Sequence, residues 1–179
     1  MATFITLPGI GGSGATHWQS HWEAGDPCFT RFRPGDWDRP DLAGWQRALE
    51  EAIASAKMPP VLVAHSLACL LVAHAARRIA GRVKGAFLVA VPDPASPVFP
   101  QAARSFADPA RQALPFPALM IASANDPYAA PEYVRARARE WHAGLVEIGA
   151  CGHINGASGL GDWEQGRRLL DAFCAGLRR

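Results

Sequence analysis

Three residues of the types that cooperate in nucleophilic catalysis, Ser66, Asp126 and His153, lie far apart in this sequence of 179 residues. A serine hydroxyl becomes a nucleophile when a histidine accepts its proton, and a carboxylate holds that histidine in the tautomer that can do so. Together the three side chains could attack a carbonyl carbon and form an acyl-enzyme. The segments that carry them must therefore meet in the fold.

Ser66 stands between an apolar, β-branched run at residues 61–64 and a segment at 67–79 that contains no Gly or Pro. The run predicts a buried strand, and the segment predicts a helix. A strand that becomes a helix within two residues forms a nucleophile elbow, which exposes a serine hydroxyl above the sheet. The usual G-x-S-x-G reads Ala-His-Ser-Leu-Ala at residues 64–68. This match alone is weak, because serine is also an ordinary turn residue.

Strands and helices alternate along the chain. The predicted strands cover residues 3–7, 28–33, 61–64, 83–91, 118–123 and 145–148, and the predicted helices cover 17–24, 42–56, 67–79, 131–142 and 163–177. Thr16 and Asp41 are the expected N-caps of the first two helices. We expect an α/β fold in which residues 1–179 form a single-domain three-layer α/β/α sandwich around a mostly parallel sheet of about six strands. The proline-rich stretch 93–117 is too short to form a large cap domain.

The histidine and the carboxylate are chosen by their position in this fold. Ligands of an open parallel sheet bind beyond the carboxyl ends of its strands, and His153 directly follows the last predicted strand. His65 is set aside because neighbours in an extended chain point to opposite sides. Asp126 is favoured as the acid, because its loop adjoins that of His153 if the last two strands are neighbours. Asp93 remains the alternative, and either aspartate could instead cap a turn.

The glycine-rich loop at residues 8–13 follows the first strand and suits close approach of the backbone to a ligand. We expect an oxyanion hole made by the backbone N–H groups of Ile10 and Leu67. Trp37 and Tyr128, with residues 93–100, are the candidates for the substrate-binding surface. A phosphate-binding loop is the alternative function of this segment, but the sequence has neither the lysine motif nor a complete G-x-G-x-x-G.

The composition narrows the class of protein. Lys and Arg exceed Asp and Glu by only two charges, which indicates no affinity for nucleic acid or membranes. The N-terminal segment lacks the basic region of a signal peptide, and no apolar run approaches the roughly 20 residues of a membrane span. The four cysteines form no C-x-x-C pair. We expect a cytoplasmic protein with free thiols, which needs no metal or organic cofactor.

Five segments, residues 7–23, 36–45, 61–69, 123–128 and 152–166, resemble the small α/β-hydrolases of the YdeN and retinoblastoma-binding protein 9 type. The resemblance implies a reduced α/β-hydrolase fold and the catalytic triad Ser66, Asp126 and His153. It does not extend to a retinoblastoma-protein partner, because the closest string to L-x-C-x-E, at residues 67–71, ends in leucine.

The motifs and the resemblance together predict a serine hydrolase that acts on a small-molecule ester, with thioesters and amides as alternatives. The competing hypothesis is a binding or scaffolding protein that keeps the hydrolase fold without turnover. The sequence does not indicate the oligomeric state.

Overall fold

The computed structural model describes residues 3–177. Within these residues one sheet contains six strands: β1 (Phe4–Leu7), β2 (Phe29–Arg31), β3 (Val61–His65), β4 (Gly85–Val89), β5 (Ala118–Ala122) and β6 (Gly144–Glu147). Their order is β2-β1-β3-β4-β5-β6, and every neighbouring pair is parallel. The predicted α/β fold with a parallel sheet is confirmed. Residues 1–2 and 178–179, the ends of the predicted domain, lie outside the described part of the chain.

The same part of the chain contains five α-helices: α1 (Trp18–Gly25), α2 (Leu42–Ser55), α3 (Leu67–Ile79), α4 (Pro131–Trp141) and α5 (Glu164–Gly176). Short 3-10 helices cover Gln101–Phe106 and Gly156–Ser158. None of the described helices has the length and apolar character that a membrane crossing requires.

Alternation along the strands divides the buried side chains between two cores. In β3, Leu62 and Ala64 pack in the core that α2, α3 and α4 cover. Val61 and Val63 pack in the core that α1 and α5 cover. Both faces of the sheet are therefore buried, as a fully parallel sheet requires, and the fold has three layers.

Several local predictions differ from the structure. The strand predicted at residues 28–33 covers only Phe29–Arg31. The N-cap of α1 is His17 rather than Thr16, and its Nδ1 accepts a hydrogen bond of 3.2 Å from the Gln19 N–H. Histidine is an uncommon N-cap, so capping preferences favour the threonine. The predicted strand 83–91 is also too long. Ala90 has φ = 55°, which ends the extended conformation although the apolar run continues.

The strand order positions the site. The chain runs from β1 outward to β2, returns to β3 on the other side of β1, and then continues outward through β6. The direction of winding therefore reverses between β1 and β3. At such a switch point the loops that follow the two strands diverge to opposite faces and leave a crevice. The glycine-rich loop follows β1 and Ser66 follows β3, so both lie at this crevice.

Candidate active site

Ser66 alone makes the turn from β3 to α3. Its φ of 56° and ψ of −126° lie in a region that L-residues rarely occupy, at a cost of about 1–3 kcal/mol. Its N–H donates to the Val89 carbonyl at 2.9 Å, which ties the bend to β4. A Cβ atom on Gly9 would lie 2.9 Å from the Ser66 Cβ, so the loop after β1 passes directly against the bend. The predicted elbow is the geometry that the chain adopts.

The Ser66 hydroxyl begins a continuous series of hydrogen bonds. Its Oγ lies 2.7 Å from Nε2 of His153. Nδ1 of His153 lies 2.9 and 2.8 Å from the two carboxylate oxygens of Asp126. A carboxylate accepts hydrogen bonds, so Nδ1 carries the proton and Nε2 is left to accept from the hydroxyl. The side chains of His153 and Asp126 are only 8% and 4% exposed, which shields these bonds from water.

Asp93 has a different role in its loop. Its carboxylate accepts a hydrogen bond of 2.8 Å from the Ala95 N–H, as a turn-capping aspartate does. Asp126 also accepts from a backbone donor, the Tyr128 N–H at 2.9 Å, but its carboxylate faces His153 as well. Of the two candidate acids, the structure brings Asp126 to the histidine.

Two side chains that the sequence did not single out join the loops of Asp126 and His153. Ser123 Oγ accepts from the Cys151 N–H at 2.9 Å, and Asn125 Oδ1 accepts from the Gly152 N–H at 2.7 Å. The Ser123 hydroxyl also donates to Asn125 Oδ1 at 2.9 Å. These bonds fix the loop after β6 against the loop after β5. The only sequence signal for them was that both residues belong to the segment 123–128.

The glycine-rich loop forms a tight turn beside Ser66. The Gly12 N–H donates to the Gly9 carbonyl at 3.2 Å, and Gly11, at the third position, has the φ of 77° that favours glycine there. The Gly11 N–H donates to the Trp37 carbonyl at 3.0 Å. Within residues 3–177 the Ile10 N–H donates to no other group. It therefore remains available to an anion.

Leu67 carries the other N–H that was expected to contribute to an oxyanion hole. It is the first residue of α3, so its N–H has no partner within the helix, and no acceptor for it appears elsewhere in the described chain. The positive end of the α3 dipole lies at the same point, which favours negative charge beside Ser66.

A cavity of about 340 Å³ opens above Ser66. Its lining includes the polar side chains of Ser13, His17 and His65 and the apolar side chains of Leu67 and Phe99. No Asp, Glu, Lys or Arg among the described residues lines it. Within the same residues no group of three or more His, Cys, Asp and Glu could hold a metal ion.

The structure separates the two aromatic residues that were expected in this cavity. Tyr128 lines it, with its ring centroid 4.4 Å from that of His153. Trp37 does not line it. Its ring lies beneath the glycine-rich loop, where a Cβ on Gly12 would come within 3.3 Å of it. Trp37 therefore supports the loop from behind, and of residues 93–100 only Phe99 and Pro100 reach the cavity.

Two further histidines lie near His153. His65 is buried, and its Nε2 lies 2.9 Å from the His153 carbonyl oxygen. His17 packs edge-on against His65, with ring centroids 4.7 Å apart. Burial lowers the pKa of His65 well below 6.5 and, with the positive charge of Arg31, lowers the pKa of His17 to about 4. Both rings are therefore neutral at pH 7. From the sequence, His65 is set aside only as a base for Ser66, and no function is assigned to His17.

Comparisons with known proteins identify the family and the fold. The sequence profile of a family described as serine hydrolase matches residues 4–172. A protein described as a YdeN-like hydrolase, from Pectobacterium atrosepticum, is 32% identical, with 99% of this chain and 92% of that chain covered and a TM-score of 0.89. The ydeN gene product of B. subtilis shares the fold at 17% identity, with 98% and 100% coverage and a TM-score of 0.75.

A monoacylglycerol lipase from Paleococcus ferrophilus also shares the fold, at 12% identity, with 98% of this chain and 96% of that chain covered and a TM-score of 0.72. No curated protein matches the chain significantly in sequence.

Proposed function

Because the chain belongs to the serine hydrolase family, we propose that it hydrolyses small, uncharged esters through an acyl-enzyme on Ser66. Thioesters and amides are the alternative substrates. The observation that carries this proposal is the unbroken series of hydrogen bonds from the Ser66 hydroxyl through His153 to Asp126. A serine in this arrangement can lose its proton as it attacks a carbonyl carbon.

The acylation step uses groups that already face one another. Ser66 Oγ attacks the ester carbonyl carbon while its proton passes to Nε2 of His153. The negative charge that develops on the carbonyl oxygen is stabilised by the N–H groups of Ile10 and Leu67. When the tetrahedral intermediate collapses, the bond to the leaving alcohol breaks, and the alcohol oxygen takes the proton from Nε2.

Deacylation repeats these events with water. A water molecule gives a proton to Nε2 of His153 and attacks the acyl carbon. The second tetrahedral intermediate then expels Ser66, which recovers the proton from Nε2, and a carboxylic acid is released. Asp126 holds the Nδ1–H throughout and stabilises the imidazolium that forms in each half-reaction.

The cavity supports a small and neutral substrate. Its volume of about 340 Å³ lies at the lower end of the range for small-molecule sites. No charged side chain among its lining residues could pair with a carboxylate or phosphate, and a charge buried without a partner is strongly disfavoured.

The proposal is tested by measuring the hydrolysis of p-nitrophenyl butyrate by the wild-type protein and by Ser66→Ala. We expect the substitution to reduce kcat/KM at least about a thousandfold, since it removes the nucleophile. Circular dichroism would show whether the fold is intact. Turnover that is unchanged in Ser66→Ala would refute the assignment.

A further inference from the structure

The residue that precedes the nucleophile holds the main chain of the proposed base. His65 is 4% exposed, and its Nε2 lies 2.9 Å from the carbonyl oxygen of His153. A carbonyl oxygen only accepts hydrogen bonds, so Nε2 of His65 carries the proton in this contact. The end of β3 therefore leads to Ser66, which faces the cavity, and carries His65, which hydrogen-bonds to the main chain of His153.

The backbone beside this hydrogen bond is strained. Ile154, the next residue, has φ = 48°, which is a genuine outlier for a β-branched side chain. Its carbonyl accepts a hydrogen bond of 2.8 Å from Nε1 of Trp18. Two consecutive carbonyls of this loop are thus held by buried aromatic side chains. Such a strained conformation persists only where surrounding contacts hold it in place. The hydrogen bonds from His65 and Trp18 provide this restraint.

The direction of the His65 side chain follows from the alternation in β3. Val61 and Val63 face the core that α1 and α5 cover. His65 follows Val63 by two residues, so its side chain points to the same face of the sheet. The nucleophile, one residue further on, is turned away by the bend. The loop after β6 lies on the same side as α1, since Trp18 reaches its backbone.

Neutrality suits His65 to this task. Burial keeps the pKa of its imidazole well below 6.5, so the ring carries its single proton on Nε2 at neutral pH. It also adds no positive charge beside His153, whose ring centroid lies 5.0 Å away, when that ring accepts the Ser66 proton.

We propose that His65 is a positioning residue, whose Nε2–H fixes the main chain of His153 and so keeps the His153 ring within hydrogen-bonding distance of the Ser66 hydroxyl. This inference rests on the proposed function, in which His153 is the base. His65 also borders the cavity, but its Nε2–H bonds to the His153 main chain and to no reacting atom, so we expect it to act through His153.

Two substitutions with side chains of similar length test whether the Nε2–H donor of His65 is needed. In His65→Gln the amide nitrogen extends to about the position of Nε2, whereas His65→Met has similar length and no donor. We expect His65→Met to lower kcat about 10- to 100-fold with little change in KM, because a small misplacement of a catalytic group costs this much. We expect His65→Gln to restore most of that loss. If His65→Met fails to fold, His65→Asn, whose amide is too short to reach, takes its place.

A spectroscopic measurement decides the question without turnover. The Nδ1 proton of His153, shared with Asp126, should give a low-field proton resonance. We expect it to keep its chemical shift in His65→Gln and to shift or broaden in His65→Met. The inference is overturned if both variants match the wild type in kcat and in this resonance, or if the two variants lose kcat equally. An unreactive wild type would refute the proposed function, and the resonance would still test His65.

Discussion

His153 Nε2 lies 2.7 Å from Ser66 Oγ, although 87 residues separate the two in the chain. The contact exists because β3 and β6 are parallel members of one sheet and therefore end at the same edge. β4 and β5 lie between them in the sheet, so the loop that carries His153 must reach back over two strands. The bonds from His65 and Trp18 hold it there.

Asparagine substitutions at Asp126 and Asp93 test which of the two carboxylates orients His153. Asp126→Asn should lower kcat about 10³- to 10⁴-fold, because an amide neither selects the required His153 tautomer nor stabilises its imidazolium. Asp93→Asn should change kcat by less than about threefold, since its carboxylate caps its own turn. Steady-state kinetics on one ester would measure both values. A larger loss in Asp93→Asn would reverse the assignment.

Gly9 and Gly14 test the close approach of the loop to the elbow. A Cβ on Gly9 would lie 2.9 Å from the Ser66 Cβ and 3.2 Å from the His65 carbonyl oxygen, and neither atom can move away alone. Gly9→Ala should therefore destabilise the fold by about 1–3 kcal/mol and lower kcat/KM. Gly14 also lines the cavity, but a Cβ on it meets nothing within 4 Å, so Gly14→Ala is the control for stability. Chemical denaturation with turnover assays would compare them, and equal behaviour would argue against the tight packing.

The buried His17 predicts a loss of stability in acid. Its pKa falls from 6.5 to about 4 on folding, so between these pH values the unfolded chain binds more protons than the folded protein. The free energy of unfolding therefore has its full value above pH 6.5 with respect to His17. It decreases as the pH falls towards 4, by about 3 kcal/mol in total.

The comparison that isolates this effect is His17→Asn, which keeps an oxygen to cap α1. The free energy of unfolding of both proteins, measured with denaturant between pH 4 and 7, should depend less steeply on pH in the variant. The difference in slope should correspond to at most about one bound proton. Parallel curves for the two proteins would show that His17 does not stay neutral in the fold.

The uncharged lining of the cavity predicts selectivity between two esters of similar length. p-Nitrophenyl butyrate and the p-nitrophenyl half-ester of succinic acid differ mainly in a terminal carboxylate. We expect kcat/KM to favour the butyrate at least about 10-fold after correction for intrinsic reactivity, because the cavity offers no cation to the buried charge. Equal rates, or preference for the charged ester, would mean that the acyl group binds elsewhere.

The sequence predicted the parts of the site that depend on local pattern and on sheet topology. The run at residues 61–64 followed directly by a helix predicts the bend at Ser66, and parallel neighbours bring Asp126 to His153. Contacts between distant loops leave no such pattern. The bond from His65 to the His153 carbonyl depends on how far the last loop folds back, and hydropathy carries no information about this.

Trp37 illustrates the same limit. An aromatic residue in a polar turn near the site predicts a surface for substrate, but the pattern does not reveal which side of the loop it contacts. In the structure it supports the loop at Gly12 from behind. His17 was missed as a cap for a related reason, because capping preferences are averages and the ring is held there by its packing on His65.

The most direct test of the central claim is the mass of the intact protein after treatment with a fluorophosphonate, followed by peptide mapping of the adduct. An activated serine should gain one phosphonyl group per chain, on the peptide that contains Ser66, and Ser66→Ala should gain none. Wild-type protein that stays unmodified, or an adduct on another residue, would contradict the claim that His153 and Asp126 make Ser66 a nucleophile.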